Sequence, residues 1–291
     1  MSVGADVSVR GWGAYFCGAN MLLMVRVTFF PSHAEVRWGF RVSFEDRILR
    51  AADKNGTRTI LALDLEDANA SRLLKRSREV LQSVQGLICG VKINRQLVMA
   101  LGLRAVADSI VKLANDFSLP TIMDAKLNDV GHTNGFMART YFDMGFDAVI
   151  ASPIAGWENG LDTVFEAANS RKRSVILLTY MSNPGAETFY SLMAQQPDGH
   201  GKPVFEILTD LAVEWKAQGV IVGATQPRVI SRVRQLAGPN LPIYSPGVGA
   251  QGGDPKAALE AGSTYLIVGR SIYNSSDPAK AAMEFRRPIA T

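Results

Sequence analysis

The stretch LPTIMDAKLNDVGHT, residues 119–133, decides the fold, because a buried-strand pattern runs directly into a cluster of charges. Residues 119–123 predict the strand, and Asp124, Lys126 and Asp129 follow it within six positions. Side chains two positions apart in a strand share a face, so Asp124 and Lys126 are expected to point the same way from its carboxyl end. Asp129 is expected on the loop beyond. Taken alone, such a motif is more often a surface ion pair, so its role depends on the rest of the chain.

Outward from this stretch, short apolar runs alternate with amphipathic helical patterns. The predicted strands cover residues 59–63, 87–91, 121–123, 148–151, 174–179, 219–222, 242–245 and 265–268. Continuous apolar strands are typical of a parallel sheet that is buried on both faces. Eight strand–helix units in roughly 230 residues predict an α/β fold, the (β/α)8 TIM barrel, as a single domain over residues 43–291. An open doubly wound sheet is the alternative, which the count and regularity of the units disfavour.

Residues 1–42 lie outside this repeating pattern and are interpreted as an N-terminal extension of uncertain structure. Residues 11–25 carry no charge, but a membrane span needs about 20 apolar residues, so no membrane association is expected. A signal peptide is the alternative interpretation of this stretch, but no clean small-x-small cleavage site follows it. Another irregular segment, rich in Pro, Gly and Gln, is predicted at residues 183–202, after the fifth strand.

Composition and charge describe an ordinary globular protein. The 291 residues are 47% hydrophobic and 20% charged, which is enough apolar material for one large core. The formal net charge is +4, and Lys and Arg are scattered instead of forming a basic stripe with interleaved aromatic residues. A nucleic-acid partner is therefore not expected, whereas a small anionic ligand fits the weak positive charge.

Cysteine and histidine usage gives no sign of a disulfide framework or a zinc site. Cys17 and Cys89 have no C-x-x-C partner, and His33, His132 and His200 are far apart and form no H-E-x-x-H pattern. We therefore expect a reducing, cytoplasmic setting and no metal.

Polar and charged residues fall at the predicted carboxyl ends of several strands, where the chemistry of a (β/α)8 barrel is found. The residues at these positions are Asp64, Lys92, Asp124, Lys126, Ser182, Gln251, Gly269 and Arg270. Single charges embedded in apolar sequence, as around Asp64 and Lys92, are not what a merely solvated strand end favours. The pattern therefore predicts one shared active site.

The last two strand ends carry the features of a phosphate site. Gly247, Gly249, Gly252 and Gly253 are expected to leave backbone N–H groups free to approach an anion, beside the start of a predicted helix. Arg270, after the next strand, adds a fork-shaped donor suited to phosphate. The loops after strands seven and eight are the usual phosphate location in this fold.

These motifs together resemble the orotidine 5'-monophosphate decarboxylase family over roughly residues 59–286. The matching motifs are LD at 63–64, VK at 91–92, DAKLND at 124–129 with Thr133, MSNPGA at 181–186, SPGVGAQGGD at 245–254 and VGR at 268–270. The D-x-K-x-x-D motif is shared with related sugar-phosphate decarboxylases and hexulose-phosphate synthases. The glycine-rich loop and the lone lysine of the second strand point to the decarboxylase of pyrimidine synthesis.

The resemblance implies the decarboxylation of orotidine 5'-monophosphate (OMP) to UMP in de novo pyrimidine synthesis, without a cofactor. It implies a C6 carbanion that Lys126 stabilises and protonates, with Asp124, Lys92 and Asp129 as the other catalytic residues. The implied substrate-binding residues are Asp64, Thr133, Ser182, Gln251, Gly269 and Arg270. It also implies a homodimer, in which Asp129 and Thr133 reach into the neighbouring subunit's site.

Three other functions stay open at this point. The acids of the same wider group could hold Mg²⁺ in a sugar-phosphate lyase. Lys92 or Lys126 could form a Schiff base in an aldolase. A nucleotide-binding protein without catalytic activity is the third, and the complete set of charges disfavours it.

Overall fold

The computed structural model describes residues 43–196 and 199–286. The predicted extension, residues 1–42, lies outside these residues, so the division of the chain into an extension and a barrel stays a prediction. Within the described ranges, no helix is long and apolar enough to cross a membrane.

The barrel contains eight parallel strands, which in chain order are β1 Thr59–Leu63, β2 Gly90–Asn94, β3 Thr121–Leu127, β4 Ala148–Ala151, β5 Ser174–Tyr180, β8 Val220–Val222, β9 Ile243–Pro246 and β10 Tyr265–Val268. They close in the order β1-β10-β9-β8-β5-β4-β3-β2. The two remaining strands, β6 Met193–Gln195 and β7 Gly201–Pro203, form a separate antiparallel hairpin. The strands are buried almost throughout, as their continuous apolar sequences require. The TIM-barrel prediction is confirmed.

Helices surround the barrel and join successive strands. Their bounds are α1 Phe44–Asn55, α2 Ala70–Val84, α3 Arg95–Leu101, α4 Leu103–Val106, α5 Lys112–Asp116, α6 Gly131–Asp143, α7 Asp162–Arg171, α8 Ala186–Tyr190, α9 Val204–Glu214, α10 Pro227–Ala237, α11 Pro255–Glu260, α12 Arg270–Tyr273 and α13 Pro278–Arg286. A π-helical turn, Ala107–Val111, links α4 to α5. The predicted irregular segment after β5 contains α8 and the β6–β7 hairpin.

Two strands extend past their predicted carboxyl ends by several residues, whereas β5 and β9 do so by one. The prediction ended β2 and β3 at residues 91 and 123, whereas these strands continue to Asn94 and Leu127. Lys92, Asp124 and Lys126 therefore lie inside strands. Buried strands tolerate these charges because the charged ends face one another in a cavity and not the apolar surroundings. The pairing of β3 with β4 also shifts register between Met123 and Leu127.

The amino-terminal end of the barrel is covered by α1. Phe44 packs on Tyr244 near the start of β9, and Arg47 forms an ion pair with Asp147 just before β4. Asp147 is buried and also accepts hydrogen bonds from Arg173 and from the backbone N–H of Thr121, at 2.9 Å in the second case. These contacts tie α1 to the starts of three strands and leave the opposite end of the barrel open for a ligand.

Candidate active site

The carboxyl ends of the barrel strands surround a cavity of about 190 Å³. Its polar lining contains eight of the predicted site residues, which are Asp64, Lys92, Asp124, Lys126, Ser182, Gln251, Gly269 and Arg270. Apolar side chains from Ile150, Leu178, Met181 and Ile221 supply much of the remaining wall. The cavity wall thus combines charged and polar groups with apolar side chains in similar proportion.

Four side chains form a row of alternating charge along this cavity. Lys92 Nζ lies 3.4 Å from Asp64 Oδ1 and 2.9 Å from Asp124 Oδ2. The other oxygen of that second carboxylate, Asp124 Oδ1, lies 2.6 Å from Lys126 Nζ. Lys92 and Asp124 are buried, whereas about a quarter of the Lys126 side chain is exposed. Asp64, at the other end of the row, is exposed to the same extent, so both ends are accessible to a ligand and Lys126 is the accessible cation of the row.

Burial and charge act in opposite directions on the two inner members of the row. Burial disfavours the ionised form of Asp124, but attraction to Lys92 and Lys126 outweighs it and lowers the pKa of Asp124 to about 2. Burial likewise opposes the charge of Lys92, but attraction to Asp124 and Asp64 raises its pKa above the usual value. Both groups are ionised at neutral pH, so the row is a fixed electrostatic unit.

The backbone at Lys126 departs from a regular strand. Its φ of 46° lies in the left-handed region, which a residue with a side chain adopts only at a cost of roughly 1–3 kcal/mol. Asp124 and Lys126 meet as the sequence predicts, but the register shift in β3 means that strand alternation is not the reason. The local backbone conformation brings the ammonium back to Asp124.

Asp64 is held in place through its backbone. Its carbonyl oxygen accepts hydrogen bonds from Gln96 Nε2 at 2.8 Å and from Tyr273 Oη at 3.2 Å. Tyr273 also lines the cavity, as does Asn94, which follows Lys92 by two positions on β2. The sequence prediction missed Asn94 and Tyr273. Asn94 lies two positions after Lys92, so in a strand the two side chains share a face. A prediction of β2 at its full length would therefore have placed Asn94 in the cavity beside Lys92.

The glycine-rich loop after β9 is closed by its own hydrogen bonds. The N–H groups of Gly249, Gly252 and Gly253 donate to the carbonyls of Gly253, Gly249 and Gly247. The prediction that the N–H groups of this loop are free for an anion is therefore wrong for these three of the four predicted glycines, because their N–H groups build the turn. Gly247 has a φ of 90°, and a Cβ there would lie 2.8 Å from the Cβ of Ser182. The glycine thus lets the loop approach Ser182, with Gln251 and Arg270 left as side-chain donors in the cavity.

Asp129 and Thr133 lie outside the cavity that the other predicted site residues line. Asp129 follows β3 and borders a flanking cavity of about 470 Å³, which Lys126 and Leu178 also line. Thr133 lies in the first turn of α6 and is partly exposed. The chain therefore does not bring these two residues into its own cavity, an arrangement compatible with a role towards a neighbouring subunit.

Among residues 43–196 and 199–286, no three His, Cys, Asp or Glu side chains are grouped so that they could hold a metal ion. Cys89 is buried, and burial raises the pKa of its thiol well above the usual value.

Comparison with known proteins gives one family. The model of the "Orotidine 5'-phosphate decarboxylase / HUMPS family" matches residues 57–285. A protein of Methanosarcina acetivorans named orotidine 5'-phosphate decarboxylase is 32% identical over 236 residues, which cover 81% of this chain and 96% of the relative. A protein of the same name from Methanococcoides burtonii is 35% identical over 226 residues, covering 77% and 94%.

Two solved structures similar to this chain carry the decarboxylase name. The crystal structure of orotidine 5'-monophosphate decarboxylase from Methanocaldococcus jannaschii, complexed with the inhibitor BMP, has a TM-score of 0.69 at 26% identity and covers 81% of this chain and 99% of its own. The Pyrococcus horikoshii orotidine 5'-phosphate decarboxylase has a TM-score of 0.65 at 30% identity, with coverages of 80% and 99%.

The pKa of Asp124 predicts how stability depends on acid. A carboxylate with a folded pKa of about 2 and an ordinary value of 3.8 stabilises the fold above pH 3.8, and this contribution is lost as the pH falls towards 2. The difference amounts to about 2 kcal/mol. Between pH 5 and pH 2 the free energy of unfolding, measured with urea, should fall by about that much more in the wild type than in Asp124→Asn. Acid dependences that coincide in the two proteins would contradict the ion-paired state of Asp124.

Proposed function

The chain belongs to the orotidine 5'-phosphate decarboxylase / HUMPS family, and from that premise we propose how its residues carry out the reaction. It is an orotidine-5'-phosphate decarboxylase, a carboxy-lyase of pyrimidine biosynthesis that produces UMP. The observation that carries the proposal is the row of alternating charges Asp64, Lys92, Asp124 and Lys126 along one cavity. The residue roles below are inferred from that geometry together with the family resemblance.

Lys126 is the group proposed to act at C6 of the pyrimidine. Loss of CO2 breaks the bond between C6 and the carboxylate carbon and leaves the electron pair on C6, where the ring cannot delocalise it. A preorganised cation held beside the carbon on which the charge develops stabilises such a charge. Lys126 Nζ then donates one proton to C6, which gives UMP, and a proton from solvent restores the ammonium. The partial exposure of this side chain supports the role.

Asp124 and Lys92 are proposed to prepare Lys126 for this step. The Asp124 carboxylate, 2.6 Å from Lys126 Nζ, holds the ammonium group in position. The carboxylate of OMP placed beside Asp124 would be repelled by it, and departure as neutral CO2 removes that repulsion. Lys92 balances the buried Asp124 and, with Asp64, is proposed to bind the ribose hydroxyls.

The phosphate end of OMP is assigned to Gln251, Gly269 and Arg270, and the pyrimidine contact to Ser182. Arginine suits a phosphate because its planar fork offers paired donors. Ser182 lies against Gly247 of the glycine-rich loop, so loops at the two ends of the substrate are in contact. Binding energy from the phosphate can therefore close both loops and position the ring.

No observation favours the magnesium-dependent lyase or the Schiff-base aldolase over this reaction. The cytoplasmic location remains a prediction from cysteine usage.

The role of Lys126 is tested by Lys126→Ala. Removal of both the cation and the proton donor should lower kcat by at least roughly 10⁴-fold, while UMP still binds through the ribose and phosphate contacts. Turnover is followed by the absorbance loss of OMP, and binding by calorimetry. Lys112→Ala is the matched control, because Lys112 is exposed on α5 and pairs only with Asp116 in the described structure. Near-normal turnover in Lys126→Ala would overturn the assignment.

A homodimer is the proposed working form, with Asp129 and Thr133 completing the neighbouring subunit's site. Both residues lie outside their own cavity, and Asp129 borders the flanking one. Apolar side chains near them are exposed, with 65% of Val130, 61% of Phe136 and 49% of Ile154 accessible. Exposed apolar surface of this kind is typical of a contact between proteins.

Heterodimers test this exchange of residues. Subunits carrying Lys126→Ala and Asp129→Ala should each be nearly inactive as homodimers. A heterodimer of the two, purified through different tags, has one site with both residues intact and should recover about half the wild-type activity. A heterodimer as inactive as its parents would show that Asp129 serves its own subunit.

A further inference from the structure

Asn134 is a buried amide in the first turn of α6, and its three hydrogen bonds all reach backbone atoms outside that helix. Asn134 Nδ2 donates to the carbonyl of Asp129 at 2.5 Å and to the carbonyl of Gly160 at 3.1 Å. Asn134 Oδ1 accepts from the N–H of Asp129 at 3.2 Å. The side chain is fully buried, so one amide group fixes both backbone polar groups of Asp129.

The loop that carries Asp129 is held from two further directions. Asp129 Oδ1 accepts from the N–H of Val130 at 2.7 Å, which orients the carboxylate. Thr163 Oγ1 donates to the carbonyl of Gly131 at 2.8 Å. A Cβ on Gly131 would lie 2.8 Å from the backbone of Asn159, so the loop packs directly on the segment before α7. The position of Asp129 is therefore set before any partner or ligand arrives.

Burying an amide is unfavourable unless all its hydrogen-bonding groups are paired, and an apolar residue would serve the packing of α6 as well. Asn134 lines neither the substrate cavity nor the flanking one. An effect of Asn134 on the reaction must therefore pass through the backbone that it bonds, which is that of Asp129 on one side and of Gly160 on the other.

We propose that Asn134 is a positioning residue for the neighbouring subunit's active site, because it fixes Asp129 in the orientation that the other subunit uses. This inference rests on the proposed function, in which Asp129 crosses to the partner. It assigns to Asn134 an effect on catalysis in trans, that is, at the site whose lysines belong to the other chain.

The variant Asn134→Leu keeps a side chain of similar size and removes all three hydrogen bonds. As a homodimer it should lose about 10²-fold in kcat/KM for OMP, since small displacements of a catalytic group have effects of that order. Thr209→Val is the matched control, because Thr209 is also buried and its Oγ1 bonds only the Phe205 carbonyl within α9 at 2.7 Å. The control should keep kcat/KM within about 2-fold of the wild type. An Asn134→Leu homodimer with wild-type kcat/KM would overturn the inference.

A heterodimer separates an effect in trans from support of the subunit's own barrel. In a heterodimer of Asn134→Leu and Lys126→Ala subunits, the first subunit has its own Lys126 and receives Asp129 from a chain with Asn134 intact. That site should be fully active, which gives about half the wild-type activity per dimer. If Asn134 only supports its own barrel, both sites stay impaired and no activity returns.

The Asp129→Ala/Lys126→Ala heterodimer is the reference for this experiment. Recovery in the reference but not with Asn134→Leu overturns the inference and leaves the proposed function intact. Failure of both heterodimers overturns the crossing of Asp129, and the inference with it. Should Asn134→Leu not fold, Thr163→Val decides, because it removes the hydrogen bonds of Thr163 Oγ1 to the carbonyls of Gly131 and Gly160 and leaves Asn134 in place. It should show a smaller loss of kcat/KM and the same recovery in trans, and a loss without recovery would overturn the inference.

Discussion

The carboxylate of Asp124, buried between two ammonium groups, is the interaction on which the active site depends. Removing charged groups from water is unfavourable by several kcal/mol each, unless opposite charges meet at close distance. Asp124 meets Lys92 at 2.9 Å and Lys126 at 2.6 Å, with one oxygen for each. Removing any one of the three leaves an uncompensated charge in the cavity. The row therefore acts as a unit, and Lys126, its partly exposed cation, is the member that we propose acts on the substrate.

The barrel makes this arrangement possible because neighbouring strands deliver successive members of the row. Asp64 follows β1, Lys92 belongs to β2, and Asp124 and Lys126 belong to β3. Parallel pairing sets their spacing, with Asn94 of β2 opposite Asp124 of β3. Residues on strands are held more precisely than residues on loops. Asp129 is on a loop, and the hydrogen bonds of Asn134 supply the rigidity that a strand would otherwise give.

The sequence alone was sufficient to predict the barrel and to predict most of the residues that line the cavity. Both predictions follow from the apolar strand patterns and from the charged residues that come after them. The sequence was insufficient wherever backbone geometry overrides a pattern. The left-handed backbone conformation of Lys126 has no sequence signature. The extension of β2 through Asn94 was not predicted, because a charged residue such as Lys92 usually marks the end of an apolar strand. The glycine content of the loop after β9 predicted free N–H donors. The hydrogen bonds that occupy the N–H groups of Gly249, Gly252 and Gly253 depend on the folded turn and leave no pattern in the sequence. The role of Asn134 depends on contacts with Gly160, 26 residues away.

We propose that charged side chains alone support the decarboxylation. The most direct test of this proposal is the rate of absorbance loss of OMP with the purified protein, in the presence and absence of EDTA. The rates should be equal, because the row ending in Lys126 supplies the stabilising charge. A rate that EDTA abolishes and Mg²⁺ restores would contradict the account and would favour the metal-dependent chemistry of the wider group.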